Sequence, residues 1–254
     1  MLNFAIETAR DAGGILLEKF GRKIKISKKW DIDLVTEADL ASEALILERI
    51  RSHFPKHSIL AEESGEAVVK GGDPSWKWII DPLDGTTNYA HNYPCFCVTM
   101  ALEHNGEIVV GVTYDPTRDE LFAAEAGGGA TLNGKPIRVS AIDKLSDSLL
   151  VTGFPYDIKE RKEPARHLHE LLMLSRGVRR DGSAALDLAY VACGRFEGFW
   201  EEGLNPWDIA AGTLLVKEAG GQISYFDGSP LDIYRPPLAA SNGLIHDQMI
   251  DILK

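Results

Sequence analysis

Three things are scarce in this 254-residue chain, and each scarcity narrows what it can be. Apolar runs are short: none approaches the roughly eighteen residues that a membrane-spanning helix requires. Cysteine is rare. Cys95, Cys97 and Cys193 are an odd number without zinc spacing. In a β-looking run the side chains of Cys95 and Cys97 would share one face and not easily bridge, so buried, reduced thiols are expected. Positive charge is short as well, with 27 basic against 38 acidic residues and a net charge of −11. That balance argues against a nucleic-acid binder held by phosphate contacts. Low-complexity tracts, internal repeats and long linkers are missing too. The start, Met1-Leu2-Asn3-Phe4, lacks the basic-then-apolar layout of a secretory signal, so a cytoplasmic enzyme is expected.

What is present has the ordinary balance of a globular protein, 44% hydrophobic and 26% charged, at a length sufficient for a sizeable core. Apolar spacing predicts an amphipathic helix over 2–20, stopped by Gly21, and a second helix to about residue 54 that Thr36 caps. Short strands are expected at 58–61, 76–80, 96–103, 107–114 and 120–124, with Gly127-Gly128-Gly129 and the Asn133-Gly134 turn closing this half. A second half then alternates strand and helix: strands near 148–151, 177–180, 198–201, 222–225 and 238–241, helices near 161–174, 184–193, 207–219 and 246–253. The expectation is one unit of two subdomains, 1–143 and 144–254, joined near 140–147.

Four acidic motifs fall where strands end or helices begin: Asp33-x-Val35-Thr36-x-x-Asp39, Glu62-Glu63-Ser64-Gly65, Asp81-Pro82-Leu83-Asp84-Gly85-Thr86-Thr87-Asn88 and Pro206-Trp207-Asp208. In mixed α/β folds such points are where sites are built. Trp78-Ile79-Ile80 should be a buried strand that delivers Asp81, after which Pro82 stops the ladder and Gly85 permits a tight turn. Thr86 and Thr87 would begin a helical turn whose free N–H groups suit a phosphate, while aspartate oxygens suit magnesium. Against this stands a turn whose aspartates merely cap backbone groups. Glu62 and Glu63 are an unfavourable pair unless a cation or solvent screens them. Asp208 by itself reads best as a helix-capping acid.

Taken together, these motifs resemble the inositol monophosphatase family of lithium-sensitive, magnesium-dependent phosphatases. Gly182-Ser183-Ala184-Ala185 and Glu218-Ala219-Gly220-Gly221 also match in order and spacing, and the likeness covers essentially the whole chain. The resemblance implies an α/β layered sandwich of alternating helix and sheet layers, and a homodimer. It implies two to three magnesium ions: Glu62, Asp81, the Leu83 carbonyl and Thr86 around the first, and Asp81, Asp84 and Asp208 around the second. Asp39 and Thr86 would orient the nucleophilic water, with Glu62 the third catalytic residue. Gly85, Thr86 and Thr87 would bind phosphate, Asp84, Gly182, Ser183, Ala184 and Glu201 would meet the alcohol, and Asp208 would be a further substrate contact, with Arg179 or Arg180 near either group. Lys28 matches a family lysine that contributes to the electrostatics of the site.

The implied reaction is magnesium-dependent hydrolysis of a small phosphorylated polyol, first of all inositol 1-phosphate. Fructose 1,6-bisphosphate and histidinol phosphate are the alternatives, and a second phosphate would need Arg179, Arg180 or Arg161. Segment 179–207 looks closest to bacterial relatives that join transcription antitermination complexes, so a regulatory protein partner is a further expectation; membrane and direct nucleic-acid partners are not expected. The seven histidines are scattered and expected at the surface, and Trp76, Trp78, Trp200 and Trp207 are expected in the core.

Overall fold

The computed structural model describes residues 1–22, 35–155, 157–235 and 237–254, and the backbone at 26–28 and 34. Helices α1 (Leu2–Lys19) and α2 (Glu37–His53) are separated by the antiparallel pair β1 (Ile26–Lys28) and β2 (Leu34–Thr36). An eight-stranded sheet follows, from β3 (His57–Ala61), β4 (Gly65–Ala67), β5 (Asp73–Asp84), β6 (Cys97–His104), β7 (Glu107–Asp115), β8 (Glu120–Glu125), β9 (Gly129–Leu132) and β10 (Lys135–Pro136). The one-turn helix α3 (Thr86–Ala90) links β5 to β6. The remaining chain is β11 (Leu149–Thr152), α4 (Lys162–Leu174), β12 (Gly177–Arg179), α5 (Ala184–Ala192), β13 (Gly198–Glu201), α6 (Pro206–Glu218), β14 (Gln222–Ser224), β15 (Leu238–Ser241) and α7 (His246–Leu253).

Strand order is β10-β9-β8-β7-β6-β5-β3-β4 in the large sheet and β12-β11-β13-β15-β14 in the small one. Helices and sheets stack in layers. Ala5, Ala9, Ala12 and Leu16 turn one face of α1 onto the large sheet, with α2 beside it. On the other face of that sheet lie α5 and α6, which in turn pack on the small sheet, and α4 with α7 cover its far side. Every residue of α5 is buried, as a helix pressed between two sheets requires.

Close approach makes this middle layer possible. Gly111 of β7 lies against α6, where a Cβ would come within 2.8 Å of the Ala211 carbonyl oxygen. At the far end of α6, Gly220 N–H donates to Lys217 O and Gly221 N–H to Val216 O, closing the helix on Gly220 at φ +88°. The Glu218 carboxylate meanwhile accepts from Gly127 and Gly129 N–H, both at 2.8 Å, and clamps α6 to the β8–β9 turn.

Several expectations need amendment. The glycine run does not end its half: Gly129 opens β9, which pairs with β8 and returns through Asn133-Gly134 to β10. Two histidines are not at the surface. His167 packs edge-on against Phe226, and His246 is held between Ser224 Oγ (2.8 Å) and Ser241 Oγ (2.9 Å); burial lowers the pKa of both. Trp78 and Trp200 are core residues, whereas Trp76 is stacked between His57 and His104 and Trp207 lines the cleft described below. The three cysteines are free thiols.

Because the neighbour of Gly111 is rigid helix backbone, Gly111→Ala is expected to lower stability by about 1–3 kcal/mol through overpacking. Urea unfolding measures it, and an unchanged midpoint would mean that α6 can lift off the sheet at no cost.

Candidate active site

The site begins with a defect in β5. Residues three apart in a regular strand face opposite sides of a sheet, so Asp81 and Asp84 should diverge. Pro82 offers no N–H to the ladder, and the β5–β6 register slips between Asp81↔Thr99 and Asp84↔Cys97. Three steps on β5 match two on β6, and this one-residue bulge brings both aspartates to the same cleft. Pro82 therefore bulges the ladder, which resumes at Asp84, instead of stopping it. Glu62 follows β3 alongside, its N–H bonded to Ile80 O, and its carboxyl group hydrogen-bonds that of Asp81.

Gly85 comes next at φ +93°, with the Cys95 carbonyl oxygen only 2.8 Å from where a Cβ would be; both facts demand glycine. Thr86 then turns inward. Its Oγ1 lies 3.0 Å from Asp39 Oδ1 and 3.0 Å from Leu83 O. Asp39 is the third residue of α2, and its other oxygen accepts from Thr36 N–H (2.8 Å) and Thr36 Oγ1 (2.5 Å) in a capping box. Asp208 repeats the device on α6, where its Oδ2 accepts from Asn205 N–H at 2.7 Å. Both aspartates cap a helix and still reach the cleft region, so the capping and site readings of Asp208 hold together.

The opposite wall comes from the second half of the chain. Asp84 Oδ2 accepts from Ser183 Oγ (2.6 Å) and Ala185 N–H (2.8 Å), joining β5 to the start of α5. Gly182, Ser183, Ala184 and Glu201 line the cleft, whose volume is about 230 Å³. Arg179 does not belong to it: its side chain is exposed at the end of β12 and bonds the Val178 carbonyl. The next residue, Arg180, faces the cleft, since one step along an extended chain reverses the side. Thr87 is likewise exposed and away from the lining. Asp33 and the Lys28 side chain lie outside the described residues.

Two further contributors, Ser42 and Glu43, carried no motif. Ser42 and Glu43 share a face of α2 with Asp39; Ser42 Oγ donates to Pro82 O (2.8 Å), and Glu43 Oε2 accepts from Glu63 N–H (3.0 Å). One helix thus braces the acidic strand ends of β3 and β5. Polar residues interrupting the apolar face of α2 were the available signal. Asn88 Nδ2 donates to Cys95 O and Asp181 O, both at 2.8 Å, tying the turn after β5 to the loop before α5.

Five acids, Glu62, Asp81, Asp84, Glu201 and Asp208, face one base, Arg180, among the described lining residues. Burial raises the pKa of Asp81, and the charges of Glu62, Asp84 and Asp208 push it further. Burial does the same to Asp208 and Asp84, with Asp84 adding to the effect on Asp208. Glu201 is pushed up to about 8, chiefly by burial, against the partial relief of Arg180. Among the described residues no three acidic, His or Cys groups are already closed into a cation-holding cluster. The donor set nevertheless fits a hard divalent cation. Glu62, Asp81, Asp84 and Asp208 offer oxygen ligands whose mutual repulsion a cation would relieve, and the backbone holds one oxygen of each aspartate in place.

The chain is similar along its whole length to known proteins. The sequence profile of the Inositol monophosphatase family matches residues 1–254. An Inositol-1-monophosphatase of Synechocystis is 48% identical over 99% of this chain and 88% of its own length. Nus factor SuhB of Escherichia coli is 43% identical over 100% of this chain and 98% of its own. The solved structure of an inositol monophosphatase from Anabaena superposes with a TM-score of 0.88 at 50% identity, covering 99% of this chain and 94% of that one.

The raised carboxyl groups give a pH test. A group with its folded-state pKa above the ordinary value contributes stability below that ordinary value and loses it as pH climbs through the raised one. A cation binding the same oxygens replaces that lost contribution and competes with the protons. The gain in melting temperature on adding a divalent cation such as magnesium to chelator-treated protein is therefore expected to grow as pH rises above the ordinary carboxylate range. A gain that stays constant or shrinks over that rise would contradict the assignment of these carboxylates as ligands.

Proposed function

On the premise that the chain belongs to the inositol monophosphatase family, and is thus a phosphatase, we propose that it hydrolyses a small phosphorylated polyol, first of all inositol 1-phosphate, with magnesium as cofactor. The observation that carries this reading is the meeting of Glu62, Asp81, Asp84 and Asp208 in one cleft beside the Asp39–Thr86 pair. When bound, magnesium supplies Lewis-acid charge to the phosphate and the departing oxygen. Glu62, Asp81 and the Leu83 carbonyl, with Thr86, are the ligands proposed for one ion, and Asp81, Asp84 and Asp208 for a second.

The remaining chemistry belongs to the chain itself. Thr86 Oγ1, which has both Asp39 Oδ1 and Leu83 O within donating reach of its one proton, keeps lone pairs that accept from a water in the cleft and so orient that water. Asp39 is fixed for this by the Thr36 cap, and burial raises its pKa against the pull of those hydrogen bonds. Gly85 and Thr86 present the phosphate end, and Glu201 accepts from hydroxyls of the alcohol at the other. Arg180, in place of Arg179, is the cation available to a substrate anion. A homodimer in the cytoplasm is part of the same reading.

Phosphate release from inositol 1-phosphate, fructose 1,6-bisphosphate and histidinol phosphate, with and without magnesium, tests the substrate. Magnesium-dependent preference for inositol 1-phosphate is expected, and preference for another ester would move the specificity to that ester. Asp81→Asn should lower kcat by about 100-fold or more, because it weakens both proposed ion sites; near-normal turnover would overturn the shared-ligand assignment. A second reading, partnership in a transcription antitermination complex, draws support from the similarity to Nus factor SuhB along the whole chain. Affinity capture that recovers no transcription factor from the source cell would remove it.

A further inference from the structure

Glu201 ends β13, whose parallel pairing with β11 runs Val151↔Phe199 and Thr152↔Trp200. One step further, Gly153 stands beside Glu201. Thr152 Oγ1 donates to Trp200 O at 2.7 Å and locks the two strand ends together at that point. The space above the Gly153 Cα is taken by the Glu201 carboxyl group: a Cβ there would lie 2.0 Å from Oε2 and 2.2 Å from both Cδ and Oε1. Gly153 is buried, and the next residue, Phe154, lines the cleft.

We infer that Gly153 is a specificity-determining position: lacking a side chain, it lets the Glu201 carboxylate lie back against the end of β11, and so sets the depth of the alcohol end of the cleft. This rests on the reading of Glu201 as the residue that meets the alcohol. The obstruction is one-sided. What a methyl group at 153 would strike is the far end of a flexible side chain, so the fold tolerates it by moving the carboxylate. Backbone strain does not enter, since Gly153 is absent from the glycines with positive φ. The Glu201 carboxylate already borders the cleft, and pushed further toward it the group shortens the pocket and loses its alignment with the substrate hydroxyls. A ring polyol suffers more from this than a short alcohol.

The test is a double-mutant cycle of Gly153→Ala with Glu201→Ala in the magnesium-loaded enzyme, assayed on inositol 1-phosphate and glycerol 2-phosphate. Gly153→Ala is expected to lower kcat/KM about 10-fold more for inositol 1-phosphate than for glycerol 2-phosphate, mainly through KM. In the Glu201→Ala background the same substitution should have no selective effect, because the group it displaces is gone. Unchanged selectivity in Gly153→Ala, or a selective penalty that persists without Glu201, would overturn the inference. Should Gly153→Ala melt early, recovery of the melting temperature in the double variant supports the clash with Glu201, and no recovery refutes it. Wild-type enzyme that does not distinguish the two esters, and is indifferent to Glu201→Ala, would instead overturn the reading of Glu201 itself and with it the inference.

Discussion

Acidic side chains crowded into one partly dry cleft repel one another, and the architecture around the site answers that repulsion. Burial and mutual repulsion raise the pKa of Asp81 and Asp208, and burial raises that of Asp84; a cation among these groups would relieve the repulsion. What keeps the carboxylates from swinging apart is backbone. Asp81 is held by Leu83 N–H, Asp84 by Ala185 N–H and Asp208 by Asn205 N–H. Each aspartate has one oxygen fixed in this way.

Helix capping supplies much of that fixation. Asp39 and Asp208 each sit third in a helix, where a carboxylate reaching back to the N-cap N–H stabilises the helix start whether or not there is a ligand. Local helix formation therefore aims a site residue before any tertiary contact does. The Asp84–Ser183–Ala185 bonds and the Asn88 amide then stitch the two walls of the cleft across nearly a hundred residues of sequence. Site formation and the docking of α5 against the large sheet are in this sense one event.

Much of this was legible in the sequence because it is local. Pro82 and Gly85 announce a break and a turn, Thr36 and Asp39 announce a cap, and apolar spacing placed most helices and strands within a residue or two. The bulge was not legible: a proline after a strand predicts an end equally well, and only pairing with β6 shows that the ladder resumes. The choice between Arg179 and Arg180 depends on which side of an edge strand faces the cleft, which two adjacent identical residues cannot reveal. Glu43, Ser42 and Asn88 act through backbone groups 20, 40 and 93 positions away, and nothing local marks such partners. His167 and His246 are scattered histidines with no local mark of burial, yet the faces they occupy are covered by Phe226, Ser224 and Ser241.

The Glu218 clamp gives α6 the character of a ruler. Its far end is pinned to the turn between β8 and β9, and ten residues earlier, about 15 Å away along the helix, it presents Asp208 to the cleft. Adding or removing one residue between those points would rotate Asp208 by about 100° about the helix axis and aim its free oxygen into the packed layer. The length from 208 to 218 thus fixes where Asp208 points, and a change in it would have to be offset at both ends of α6 for the cleft to keep its carboxylate.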